Sequence, residues 1–322
     1  MNRPKVVITR RIPEEALNMI KEQAYVFIWD YEEAPIPKQV LLKESKDAAG
    51  IFTNVGDPID QELFEHAPLL KVVSTMAVGF DNIDINEATK RGIQVGHTPE
   101  ILTETTADLT FALLMATARR IPEADTFTRE GKWTAWSPML LTGQDIFGAV
   151  IGIIGMGRIG EGVARRAAGF NMNIVYHNRT RFPETEQRLN ARYLSLDELL
   201  QESDYVVMLA PSTKETFHMI GERELGLMKP NSILINASRG TNVDEAALYH
   251  VLKEGKIWAA GLDVFEKEPI TSDHPLLSLQ NVVATPHIGS ATITTRTKMA
   301  VLAAQNLLLG LAEEKLIHSV NF

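Results

Sequence analysis

The sequence predicts an α/β protein built on parallel, doubly wound sheets and divided into two domains. Two patterns carry that expectation: short β-branched runs alternate with helical segments, and the alternation occurs twice, on either side of a long apolar helical stretch. The third observation is length. A chain of 322 residues is long for a single core and suits two domains, each able to bury its own.

In the first series the strand candidates are Val6–Thr9, Tyr25–Trp29, Gly50–Thr53 and Lys71–Ser74. Pro13 stands where a helical pattern begins, as first-turn preference favours. A helix is expected over Ile101–Arg119, rich in Leu, Ala and Met, with a domain boundary near Pro99–Glu100. The second series runs through Ala149–Ile154, Ile174–Tyr176, Tyr205–Leu209, Ile233–Asn236, Ala259–Val264 and Asn281–Ala284. Met299–Leu311 reads as a closing apolar helix. Strands that alternate with helices predict parallel sheets covered on both faces.

Composition narrows the function classes. With 45% hydrophobic and 23% charged residues the chain is globular in type. A formal net charge of -9 argues against nucleic acid or an anionic membrane as main partner, because phosphate binding needs a basic surface. There are no cysteines, so disulfides, thiol nucleophiles and cysteine-bound zinc are excluded. The start, MNRPKVVITRRIPEE, lacks the apolar core of a signal peptide. No apolar run approaches the roughly 18 residues of a membrane helix. A cytoplasmic protein is expected. His274 and His287 have no ligand-like spacing around them, so no metal is expected.

The sharpest local signal is VIGIIGMGRIG, Val150 to Gly160. It contains G-x-G-x-x-G as Gly155, Gly157 and Gly160, after an apolar strand and at the start of a helical stretch, Arg158–Gly169. That context makes it a dinucleotide-binding, Rossmann-type loop. Gly155 would allow the tight turn, Gly157 the approach of pyrophosphate, and Gly160 close helix–strand packing. With Met156, Arg158 and Ile159 these residues form the phosphate cradle at a helix N-terminus. The next strand runs into YHNRTR. NAD enzymes usually place an acid there for the ribose 2′-hydroxyl. Here stand Asn178, Arg179, Thr180 and Arg181 instead. Arginine pairs with phosphate through a planar fork, so NADP(H) is the expected cofactor and NAD(H) the alternative.

Three later strand ends each carry a reactive polar group: Arg239 in ILINASRG, Glu268 with Asp263 in AGLDVFEKEP, and His287 in VVATPHIG. Ligands of open α/β sheets bind beyond the carboxyl ends of the strands, which points these groups to one crevice. Their chemistry suits reduction of a 2-oxoacid. Arginine holds the carboxylate and polarises the ketone. Histidine gives a proton to the developing alkoxide, and a carboxylate such as Glu268 orients the ring and favours its charged form.

These segments resemble the D-isomer-specific 2-hydroxyacid dehydrogenase family. The matching pieces are STMAVGFDNID (Ser74–Asp84), GMGRIG, SRG (Ser238–Gly240), GLDVFEKEP and TPHIGSAT (Thr285–Thr292), spread along essentially the whole chain. The resemblance implies Arg239, Glu268 and His287 as the catalytic set. It implies Asn54, Val78 and Gly79 as loops that bind the substrate carboxylate. Thr106, Pro211 and Asp263 match positions near the nicotinamide, and Ala210, Ala237, Ser238 and Gly289 join them as cofactor contacts. The implied fold is a Rossmann-type nucleotide domain (101–287) and a flavodoxin-like substrate domain (1–100, completed by 288–322) around a cleft. The two crossings, near Glu100 and His287, would serve as a hinge that closes to exclude water.

Within the family the chain is most similar to the glyoxylate/hydroxypyruvate reductase subgroup, with 2-ketogluconate as an alternative substrate. GKWTAWSPMLLTG (Gly131–Gly143) carries two Trp, and the resemblance implies a homodimer in which Trp136 reaches the partner's active site. In PHIGSATITTRTKM, Arg296 falls on the substrate side. Glu268 argues against the formate dehydrogenase branch, which has a different residue there. A nucleotide-sensing binding protein on the same fold is the reading from another class, and turnover discriminates against it.

Overall fold

The computed structural model describes residues 3–31 and 34–322. The chain divides into two compact units, Met1–Leu102 with Ala291–Phe322, and Thr103–Ser290.

The first unit holds β1 (Lys5–Ile8), β2 (Tyr25–Ile28), β3 (Ala48–Thr53), β4 (Val72–Thr75) and β5 (Gln94–Gly96). All pair in parallel in the order β2-β1-β3-β4-β5. This is the flavodoxin-like winding. Its central strands are apolar without alternation because both faces are covered. Val6, Ile8 and Phe52 pack with Ala300, Ala303 and Leu307 of the helix Ile293–Leu311 on one side. Val7, Ile51 and Val73 pack with Leu41, Leu63 and Phe64 on the other.

The second unit holds β6 (Val150–Ile154), β7 (Asn173–His177), β8 (Arg192–Tyr193), β9 (Tyr205–Met208), β10 (Ile233–Asn236), β11 (Ala259–Leu262) and β12 (Val282–Ala284). Again every pair is parallel, in the order β12-β11-β10-β9-β6-β7-β8. From β6 the chain steps outward through β7 and β8, then returns to β9 on the other side. The winding therefore reverses at the β6–β9 boundary, and ligands of such sheets bind beyond the strand ends at this point. The helix Thr103–Ala118 buries Ala107, Phe111, Leu113 and Leu114 against this sheet. It also meets the helix Arg158–Gly169 closely: a Cβ on Gly162 would lie 2.8 Å from that of Ala107.

Observed bounds differ from the sequence expectations at weakly patterned places. β5 and β8, of three and two residues at the sheet edges, were not anticipated. The last helix starts at Ile293 rather than Met299, because Thr292 caps it by accepting the Thr295 N–H at 3.2 Å. The first long helix ends at Ala118, and Arg120 follows with a left-handed φ of 53°.

Candidate active site

The glycine loop begins where β6 ends. Gly155 has φ of 101°, and a Cβ there would lie 2.5 Å from the Ala210 nitrogen beyond β9. Any side chain would thus be both strained and in collision. Gly160 is fixed by packing, since its Cβ would lie 2.5 Å from the Gly155 carbonyl oxygen. Gly157 is different: a Cβ there meets nothing within 4 Å, so the space over the loop is open. Gly157 also precedes the helix Arg158–Gly169, whose start has no side-chain cap. An open cradle at an uncapped helix start, where the dipole is positive, fits a pyrophosphate.

Asn178 follows β7 and closes on this loop. Its Oδ1 accepts the Met156 N–H at 2.7 Å and its Nδ2 donates to the Met156 carbonyl at 3.3 Å. It therefore braces the cradle rather than standing open to a ribose. Arg181 is held by Glu186 through two contacts of 2.7 Å, Nε to Oε1 and Nη2 to Oε2. Arg179 and Thr180 are exposed. Tyr176, buried in the sheet, donates its hydroxyl hydrogen to Glu186 at 2.7 Å.

The catalytic candidates follow three adjacent strands. After β12, His287 sits at φ 53° with Nδ1 2.6 Å from Glu268 Oε2. The other Glu268 oxygen accepts the Phe265 N–H at 2.9 Å. Burial alone would raise the Glu268 carboxyl. The hydrogen bond and charge of His287, the Phe265 N–H and the charge of Arg239 outweigh it and hold that carboxyl below its ordinary range. Glu268 is thus ionised and fastened at both oxygens, and the ring it grips presents Nε2 on its far side.

Asp263, at the end of β11, is almost fully buried. Its Oδ1 accepts from Thr285 Oγ1 (2.6 Å) and the Ile288 N–H (2.8 Å), and its Oδ2 accepts the Gly289 N–H (2.8 Å). The His287 N–H bonds the Asp263 carbonyl at 2.9 Å. Burial pushes the Asp263 carboxyl up despite these donors. Asp263 therefore shapes the turn that carries His287. Thr106, from the helix Thr103–Ala118, packs beside Gly289, within 3.3 Å of where its Cβ would be.

After β10, Asn236 forms the Arg239 loop: its Oδ1 accepts from the Ser238 N–H (3.1 Å) and Oγ (2.9 Å), and its Nδ2 donates to the Arg239 carbonyl (3.0 Å). Asn242 ties Ser238 Oγ (3.1 Å) to the Ala210 carbonyl (2.7 Å). Gly240 allows the closest approach of all, since its Cβ would lie 1.8 Å from the Phe265 carbonyl carbon. Asn236, Asn242, Gly240 and Thr285 were not singled out from sequence. Their signal was present, as small amides, a hydroxyl and a glycine at strand ends, but such residues also fill ordinary turns.

In the other unit, Asn54 follows β3, and Val78 and Gly79 follow the neighbouring β4. Asn54 Nδ2 donates to Asp57 Oδ2 at 2.7 Å, while its Oδ1 accepts the Gly56 N–H at 2.9 Å. The Val78 carbonyl lies 3.0 Å from His97 Nδ1. Arg296 lies on the helix Ile293–Leu311 of this unit. Pro211 accepts from Thr216 Oγ1 at 2.7 Å beyond β9, and the Ala237 N–H bonds the Met208 carbonyl at 3.4 Å. Trp136 is 79% exposed. Among the described residues one group has metal-ligand chemistry, His218 with Asp244 and Glu266. His218 Nε2 lies 2.8 Å from Glu266 Oε1, which also accepts the Glu245 N–H at 3.3 Å.

Residues 111–289 match the model of the D-isomer-specific 2-hydroxyacid dehydrogenase NAD-binding domain. The chain belongs to this family. A glyoxylate reductase of Thermococcus gammatolerans is 54% identical over 310 residues, covering 95% of this chain and 92% of that protein. One from Korarchaeum cryptofilum is 53% identical over 307 residues, with the same coverage of 95% and 92%. Among solved structures, the NADPH-dependent glyoxylate/hydroxypyruvate reductase of Sinorhizobium meliloti, in complex with NADP and malonate, superposes with TM-score 0.87 at 32% identity. That match covers 99% of this chain and 97% of the other. Membership makes this an oxidoreductase with a nicotinamide-binding domain, and among the described residues no helix is long and apolar enough to cross a membrane.

Proposed function

We propose that the chain is an NADPH-preferring reductase of glyoxylate and hydroxypyruvate. The observation that carries this reading is the 2.6 Å contact of His287 Nδ1 with a doubly anchored Glu268, beyond the carboxyl ends of the same parallel sheet as the glycine cradle and Arg239. NADPH, when bound, would supply a hydride to the 2-oxo carbon. Arg239 binds the 2-oxoacid and polarises its carbonyl. His287 gives its Nε2 proton to the oxygen as the C–H bond forms, and Glu268 keeps the Nδ1 hydrogen in place so that Nε2 is the donor. The glyoxylate reductase relatives support the substrate class, and the absence of an acid at Asn178–Arg181 supports NADPH.

A homodimer belongs to the same reading. The helix Ile121–Arg129 buries no residue, and Ile121, Trp133, Trp136, Met139 and Phe147 are all more than half exposed along the following segment. So many exposed large apolar side chains in one stretch of chain call for a covering partner, here a second copy of the chain. The test of the catalytic reading is a panel of initial rates for glyoxylate, hydroxypyruvate, pyruvate and 2-ketogluconate, each with NADPH and NADH. Fast NADPH oxidation with the first two is expected. A clear preference for 2-ketogluconate would move the substrate, and a strong NADH preference would refute the cofactor reading.

A further inference from the structure

Selection between NADPH and NADH rests on charge at the end of β7, and Glu186 sits within that charge. The segment Asn178–Arg181 offers two guanidinium groups, but the structure does not leave them equivalent. Arg179 is exposed, while Arg181 is clasped by both oxygens of Glu186 at 2.7 Å. Glu186 is itself anchored. Its Oε1 accepts the hydroxyl of Tyr176, a side chain buried in the sheet core, and that hydroxyl also accepts the Phe182 N–H at 2.8 Å. The side chain of Glu186 is only 12% exposed, against 63% for Arg181. The acid is the more buried partner and the arginine the exposed one.

We propose that Glu186 is a specificity-determining residue, which limits the preference for NADPH by occupying the fork of Arg181. The inference rests on the reading of Asn178–Arg181 as the pocket of the adenosine ribose. A 2′-phosphate is an acceptor for exactly the donors that Glu186 engages, and it carries a charge that the carboxylate repels. NADH presents only an uncharged hydroxyl at that position, which a carboxylate does not repel and can accept from. Glu186 therefore disfavours NADPH relative to NADH. Its two contributions, donor occupancy and repulsion, have the same sign.

The test compares kcat/KM for NADPH and NADH in the wild type, in Glu186→Gln, and in the double variant Glu186→Gln, Arg181→Gln. Glutamine keeps an oxygen for Tyr176 but surrenders the ion pair. The expected result in Glu186→Gln is a rise of about five-fold in the NADPH:NADH ratio, carried by the KM for NADPH, at moderate ionic strength. The ratio in the double variant should fall below that of Glu186→Gln, since the released guanidinium carries most of the gain. An unchanged or lowered ratio in Glu186→Gln would overturn the proposal, as would a double variant whose ratio equals that of Glu186→Gln. A wild type that prefers NADH would refute the cofactor reading alone if Glu186→Gln still raised the ratio. A wild type that prefers NADPH with no response to Glu186→Gln would refute this inference alone.

Discussion

At the scale of the residue, the Glu268–His287 pair makes distinct predictions for its two members. Glu268 is held below its ordinary carboxyl range, so its contribution to stability and to ring orientation is present above that range and is lost as pH falls through the depressed value. Reduction also needs a proton held on His287 Nε2. Glu268→Gln removes the ionisable carboxyl that orients the ring. Its pH–rate profile should therefore lose the acid limb that protonation of Glu268 gives the wild type, a change read directly from kcat/KM against pH. An acid limb unchanged in the variant would show that ionisation of Glu268 does not govern turnover. Arg239, Glu268 and His287 stand out in the sequence as unusual polar groups following apolar strands, and the structure brings His287 Nδ1 to 2.6 Å from Glu268 Oε2. Asn178 was legible only in part. The residue type suggested a ribose contact, whereas its amide is engaged by the Met156 backbone, a pairing across 22 residues that no local pattern reveals.

Elements hold these residues at the required separations, and glycines set the tolerance. Gly240 lets the segment after β10 lie against Phe265 and Glu266, which leads into Glu268. Gly240→Ala forces backbone apart on both sides, so it should cost about 2 kcal/mol of stability and lower kcat through Arg239 and Glu268 together. A thermal melt and a turnover assay check this. An unaltered midpoint with full turnover would mean the close approach has no bearing on the site. The strongly apolar elements β6, β9 and β10 and the helix Thr103–Ala118 were readable because burial on two faces leaves a continuous hydrophobic signature. β5 and β8 were not, being short edge strands whose pairing is decided by neighbours far away in sequence. The first turns of the helix Ile293–Leu311 were missed for a related reason: Ile293 is 90% exposed and the residues ITTRTK present no apolar period.

At the scale of the whole molecule, the proposed homodimer would cover the exposed Trp136. Replacing Trp136 and Met139 with Ser should weaken self-association, visible as a concentration-dependent fall in mass by sedimentation. A wild type that sediments as a monomer at micromolar concentration would remove the dimer from the account. Chelation should leave turnover unchanged, because the roles of Arg239, Glu268 and His287 involve no metal. Loss of activity with EDTA and its recovery with a divalent ion would instead direct attention to His218, Asp244 and Glu266. The central claim is that His287 protonates the 2-oxo oxygen of a 2-oxoacid as NADPH is oxidised. The measurement that reaches it most directly is kcat/KM for glyoxylate and hydroxypyruvate with NADPH, in the wild type and in His287→Gln, alongside the affinity of each for NADPH. The account predicts turnover of both substrates by the wild type, a loss of about a thousand-fold in the variant, and unchanged NADPH affinity. Comparable turnover by the two proteins would contradict it.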